Sequence, residues 1–494
     1  MRTVSGPTDH VVIVGAGLGG LACALRLAGA GRRVTVLERE KSAGGRIGQL
    51  EIDGYRFDTG PTVLTLPHLL DETLNSVSER LADWLDLVRL DPAYRAHFPD
   101  GSALDIRAST EGTAAEIARL CGPREADGYL RFVDYLDGLY RLEWKRFIDR
   151  NLDSPYDLLG PDLARLIVRG GFRRLSAKVA QFFGDPRLQR VFSFQSLYAG
   201  VAPHRALASY AVIAYLDTVA GVYFPRGGMH TVAETLAAAA VKHGVTIDYG
   251  REVTGVEITG RRARAIRTRD GERIAADVVV LNPDLPVAYR DLLHRPLRRN
   301  LRYSPSCVVL HAGSADVDST LAHHNVLFGA AWKATFDDVT RHGRLMSDPS
   351  LFVTNATRTD PALAPSGHHS YYILAPVPNT DAGIDWTARG PAYAEELLRT
   401  LASRGHPLAQ FRDIRQITTP ADWAGRGMAA GTPFASAHTF RQTGPLRPGN
   451  IAPGLENVVF VGSGTQPGVG MPMVLVSARL AAERITRTSR REAA

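Results

Sequence analysis

Apolar positions change rhythm several times along this chain. Val11–Val14 form an unbroken β-branched run, Leu21, Leu25 and Leu27 recur at helical spacing, and Val34–Leu37 form a second short run. That succession predicts strand, helix, strand. At the other end Val458–Val461, a glycine-rich stretch from Gly462 to Gly470, and apolar positions between Met473 and Ile485 predict strand, turn and helix again. Residues 54–67 alternate as a strand does and stop at Gly60-Pro61, while residues 110–225 read as helices. Within the latter, Leu158, Leu159, Leu166, Ile167, Leu175, Val179 and Phe183 interleave with Arg165, Arg169, Arg173, Arg174 and Lys178. Such a segment fits either a helix lying in a lipid headgroup layer or one packed on its own domain with a solvated basic face. Residues 251–284 predict short strands about an Asp270-Gly271 hairpin turn, and residues 285–445 mix strands with helices. The longest apolar run, 206–224, carries Asp217 in its middle and reads as a buried core helix rather than a membrane span.

A chain of 494 residues exceeds what one hydrophobic core organises. The pattern predicts a mixed α/β fold: a Rossmann-like domain assembled from residues 1–110, 225–284 and 446–494, a helical subdomain over 111–224, and a mixed-sheet domain over 285–445.

The two strand-to-helix turns carry the chemistry. Gly15, Gly17 and Gly20 stand in G-x-G-x-x-G spacing, with Gly19 between the last two. The first glycine permits a tight turn, the second lets a pyrophosphate approach the backbone, and the third lets helix and strand pack closely. The helix start offers free N–H groups to phosphate, and Glu38, closing the second strand, suits ribose hydroxyls. Arg39, Gly44, Gly45 and Arg46 follow. A Gly-Gly pair there can fold backbone against the middle of a longer cofactor, with the Arg46 guanidinium free for phosphate or the polar edge of a flavin. Gly60, Pro61 and Thr62 form a turn suited to run beside the ring. The C-terminal cradle, with Gly462, Ser463, Gly464, Gly468, Gly470 and Met471, then meets the ribityl chain and pyrimidine edge of an FAD whose adenosine end lies at Gly15.

Composition narrows the partners without naming them. The formal charge is +7, yet Arg and Lys are spread along the whole chain, so nucleic acid is not indicated, while an anionic membrane surface is compatible with the charge. Cys23, Cys121 and Cys307 are far apart and odd in number, which argues against a disulfide framework or a clustered metal site and fits a reducing cytosol. The apolar run at Val11–Val14 is too short for a signal peptide.

The fingerprint at 12–40, Gly44-Gly45-Arg46, the 57–67 segment, residues 222–236 with Phe224-Pro225-Arg226-Gly227-Gly228, the 321–329 segment, residues 371–379, and 459–472 together resemble the bacterial phytoene desaturases, FAD-dependent carotenoid desaturases of the amine-oxidase-like flavoproteins. The resemblance runs in order over nearly the whole chain. It implies a hydrophobic carotenoid substrate, removal of hydride to FAD, dioxygen or a quinone as electron acceptor, and a cytoplasmic enzyme held peripherally on the membrane. It also implies that Val253 touches adenine. Asp157 stands near where family members carry a carboxylate close to the site, against the plainer reading of a helix N-terminal charge. His324 is the other catalytic candidate, with His323 and His230 behind it. Family members often have His at Gln466 and Gly at Met473, and amine oxidases an acid at Gly464. Another flavin oxidase of the superfamily, or a prenyl-lipid carrier of the same fold, are the rival readings.

Overall fold

The computed structural model describes residues 1–315, 318–406 and 414–487. Five parallel strands form the nucleotide-binding sheet, in the order 458–460, 278–281, 10–14, 33–38 and 246–249. Val12 pairs with Thr35 on one side and Val279 on the other, and Val280 pairs with Val459, so both ends of the chain meet through the strand Val278–Leu281. Strands buried on both faces need continuous apolar runs, and Val278–Leu281 is buried throughout. The helix Leu18–Gly29 lies against the C-terminal helix Met471–Thr486 and against His230–Lys242. Gly19, Ala22, Cys23 and Ala24 bury its face toward them.

A three-stranded antiparallel sheet, 253–259, 262–268 and 273–275, covers one side of this unit, with Asp270-Gly271 between its last two strands as expected. A seven-stranded sheet forms the second layer, in the order 414–418, 306–314, 369–377, 351–354, 324–327, 94–97 and 103–106. All its pairs are antiparallel except 324–327 with 94–97. Its last two strands come from the N-terminal 110 residues, so that segment serves both sheets.

The helical region is more broken than the sequence rhythm suggests. Glycines at 160, 170 and 171 divide the amphipathic stretch into a turn at Pro155–Leu158 and helices Pro161–Val168 and Leu175–Val179. The 206–224 run becomes a single turn, the helix Ala211–Thr218 and a strand from Tyr223. Among the described residues no helix is long and apolar enough to cross a membrane.

Candidate active site

The first turn is built from contacts that only glycine allows. Gly15 has φ +98° and its N–H donates to Leu37 O at 2.8 Å. A Cβ on Gly20 would collide with the Gly15 carbonyl, which is why the helix can start directly on the strand. Glu38 is buried; its Oε2 accepts from Ala16 N–H at 2.6 Å and its Oε1 from Glu40 N–H at 3.0 Å. The carboxylate therefore braces the turn from below. Gly17 caps the helix without any side-chain bond, leaving first-turn N–H groups to whatever lies in front of them.

Asn282, which the motif reading overlooked, stands at the centre of this arrangement. It follows the strand Val278–Leu281, its N–H donates to Val14 O at 3.0 Å, and its Nδ2 donates to Gly15 O at 3.4 Å. A side chain on Gly17 would come within 2.8 Å of Asn282 Nδ2, and one on Gly462 within 3.0 Å of its Oδ1. One amide thus touches both glycine turns. The signal was legible: a polar residue directly after an all-apolar parallel strand lies at its carboxyl end, where ligands of α/β sheets bind.

Arg46 joins three distant segments. Its Nη1 donates to Ser463 Oγ at 2.6 Å and its Nη2 to Asp284 Oδ1 at 2.8 Å, while Asp284 Oδ2 accepts from Ala429 N–H at 3.1 Å. Its Nε is buried without a partner. Gly44 and Gly45, with φ +129° and +58°, bring this arginine round against the first turn, where Gly44 N–H donates to Ala16 O at 2.9 Å. His230 Nδ1 donates to Ile47 O at 2.7 Å and fixes the same loop, a structural role. The C-terminal cradle hangs on Arg447, a second residue the motifs did not show. It is fully buried, and donates from Nη2 to Ser463 O at 2.6 Å and from Nε to Thr465 O at 3.0 Å. Burial lowers its pKa to about 10. Gln466 donates to Gly444 O at 3.2 Å, and its Oε1 is buried and unpaired.

These parts line one continuous cavity of about 1190 Å³. Its wall includes Gly15, Gly17, Gly19, Glu38, Arg39 and Val253 of the first turn and its surroundings, Gly44, Gly45, Arg46, Gly60, Pro61 and Thr62, and Gly462, Ser463, Gly470 and Met471 of the C-terminal cradle. From there the cavity runs into an apolar chamber bounded by Phe194, Leu197, Phe328, Trp332, Leu374 and Phe434. Gly20, Gly464 and Gly468 stand behind the wall: Gly464 packs toward Leu285, and a Cβ on Gly468 would strike the His438 ring. The long glycine-lined groove, the uncapped helix start and the two unpaired buried polar atoms, Arg46 Nε and Gln466 Oε1, fit an extended dinucleotide.

The catalytic candidates need correction. Asp157 Oδ2 accepts from Asp153 N–H at 2.7 Å and Ser154 N–H at 2.9 Å, closing a capping box that lowers its pKa. Its neighbours Pro155 and Leu158 face the cavity; Asp157 does not. His324 is also behind the wall, with its ring stacked on Phe352 at 5.4 Å between centroids. It bonds through Nδ1 to Thr354 Oγ1 at 3.0 Å, and that hydroxyl donates to cavity-lining Thr62 at 3.1 Å. Burial holds both His324 and His323 neutral. Polar groups that do line the cavity include Glu143, Tyr198, Tyr210, Asp217, Tyr372 and His438. Of these only Asp217 stood out in the sequence, as the interruption of an apolar run.

The flavin containing amine oxidoreductase family is matched over residues 18–486. The chain belongs to that family. A phytoene dehydrogenase of Streptomyces griseus is 56% identical over 98% of this chain and 97% of its own length. The zeta-carotene-forming phytoene desaturase of Myxococcus xanthus is 38% identical over 96% and 93%. Among solved structures, an oxidoreductase of Methanosarcina mazei superposes with a TM-score of 0.62 over 95% of this chain and 99% of its own at 18% identity, which speaks for the fold alone. As a member of this family the protein is an oxidoreductase whose cofactor is FAD.

Proposed function

We propose that this flavoenzyme introduces conjugated double bonds into phytoene, converting it toward lycopene at a membrane surface. The observation that carries the proposal is the continuity of a glycine-lined polar groove with an apolar chamber inside one cavity. FAD would lie with its adenosine at Gly15, Glu38 and Val253 and its isoalloxazine between Arg46 and the cradle from Ser463 to Met471. When bound, FAD supplies a two-electron acceptor for hydride.

The chain's own contribution is binding, orientation and exclusion of water. A hydrocarbon has no polar handle, so its recognition rests on buried apolar area, at about 25 cal/mol per Å². Phe194, Phe328, Trp332 and Phe434 supply that area and keep water out of the chamber. Dioxygen or a quinone would serve as the acceptor that reoxidises the cofactor.

Membrane association has its own support. Val168, Tyr156, Leu159 and Ile167 are 87%, 79%, 67% and 58% exposed, and Phe172 is exposed beside them. Pro155, Leu158, Leu163, Leu166 and Phe172 of the same segment line the cavity. An apolar surface patch therefore borders the chamber's wall, ringed by exposed Arg165, Arg169 and Arg173. A substrate dissolved in the bilayer could pass into the chamber there without crossing water.

The test is to incubate FAD-loaded protein with phytoene in liposomes and separate the products. Polyenes absorbing at longer wavelength are expected. Unchanged phytoene alongside rapid oxidation of an amine would overturn the reading.

A further inference from the structure

The cavity wall carries two carboxyls, Asp217 and Glu143, that have no hydrogen-bond or ion-pair partner among the described residues. Asp217 lies near the end of the helix Ala211–Thr218, is 7% exposed, and lines the cavity. Among the described residues no hydrogen bond or ion pair reaches its carboxyl, which lies on the cavity wall. Its ionisable neighbours include the phenols of buried Tyr94 and half-buried, cavity-lining Tyr198. Helix Pro123–Glu143, packed alongside, adds Glu143, which also lines the cavity; one of its oxygens is sealed and unpaired, and burial pushes its pKa well above the usual carboxylate range. Among the described residues no cation offsets Asp217; Arg141 of the packed helix is paired with Asp137.

An unpaired carboxyl is expensive inside an apolar wall, and a structural role would have given it a donor. Facing a hydrocarbon, the use left to it is acid–base chemistry. We infer that Asp217 is the proton acceptor of the desaturation, a catalytic residue that touches the substrate chain. This rests on the desaturase reading. As hydride leaves one carbon for FAD, the C–H bond of the adjacent carbon breaks, its electron pair forms the new C=C bond, and the proton passes to an Asp217 carboxylate oxygen. Removal from water strengthens the carboxylate as a base and raises its pKa to about 7, so it is partly ionised at neutral pH.

The experiment compares wild type, Asp217→Asn and Asp217→Glu, each loaded with FAD, on phytoene liposomes from pH 5.5 to 8.5. Wild type should show kcat/KM rising with pH through about 7. Asp217→Asn should lose about 10²- to 10⁴-fold in kcat and the pH limb with it, with the flavin spectrum unchanged. Asp217→Glu should recover part of the rate and restore a limb. An infrared titration of the unloaded protein should show a protonated-carboxyl band that disappears near pH 7 and is absent from Asp217→Asn. Inactive wild type would sink the desaturase reading itself. Active wild type with an Asp217→Asn variant of equal rate and pH profile would overturn the assignment, as would a wild-type minus Asp217→Asn infrared difference with no carboxyl band moving between pH 5.5 and 8.5.

Discussion

Gly20 shows how a single missing side chain sets the architecture. Any Cβ there meets the Gly15 carbonyl, which is backbone and cannot swing aside. Gly20→Ala should therefore displace the first turn, costing about 1–3 kcal/mol and most of the bound flavin. The flavin-to-protein absorbance ratio after purification checks this. Asp217 works the other way, being tolerated at a cost. Its folded pKa of about 7 lies above the ordinary aspartate value of 3.8, so the folded state binds the extra proton between those values. Stability is then lost as pH rises through that window, by an upper bound on the order of 4 kcal/mol. Asp58, half-buried and raised to about 6 by desolvation, adds a smaller loss of the same sign. Asp217→Asn should thus be more stable than wild type at pH 8 and closer to it at pH 5 in urea unfolding. Equal differences at both pH values would contradict a carboxyl that titrates late.

At the scale of elements, what could be read in advance was local. The 10–38 and 458–486 units declare themselves by spacing within some 30 residues, and their strands and helices form where that spacing puts them. Asp157 was open to a correct reading too, since Ser154 and Asp157 stand in capping-box spacing before an apolar turn. The contacts that join the units were not legible, because Arg46 reaches Ser463 and Asp284 across 417 and 238 positions of sequence. Arg447 looks like any surface arginine until the fold buries it. Its removal should matter accordingly: Arg447→Met leaves the Ser463 and Thr465 carbonyls unpaired in the interior and should cost about 3 kcal/mol or more, with weakened FAD binding. Thermal unfolding and FAD titration of the variant measure both. The amphipathic stretch was legible in composition but not in shape, because its interrupting glycines divide it into short pieces. Within the helix Pro161–Val168, Leu166 and Val168 stand two positions apart and so on opposite faces, which is how Leu166 faces the cavity while Val168 stands in solvent.

Across the whole molecule, polar groove, apolar chamber and exposed patch follow one another in order. The patch should carry membrane binding separably from the fold. Ile167→Glu with Val168→Glu should reduce cosedimentation with anionic liposomes at least about tenfold while FAD content stays normal, and salt should weaken the wild-type binding through the ringed arginines. The groove must satisfy a stricter condition, that one cofactor spans the two chain ends and meets the chamber. A structure of the FAD complex decides it. The adenine should lie beside Glu38 and Val253, the pyrophosphate before Gly15 and Gly17, and the isoalloxazine between Arg46 and the Ser463–Met471 cradle with one face open to Phe194, Phe328 and Asp217. A flavin bound outside this groove, or one whose ring is walled off from the chamber, would contradict the account.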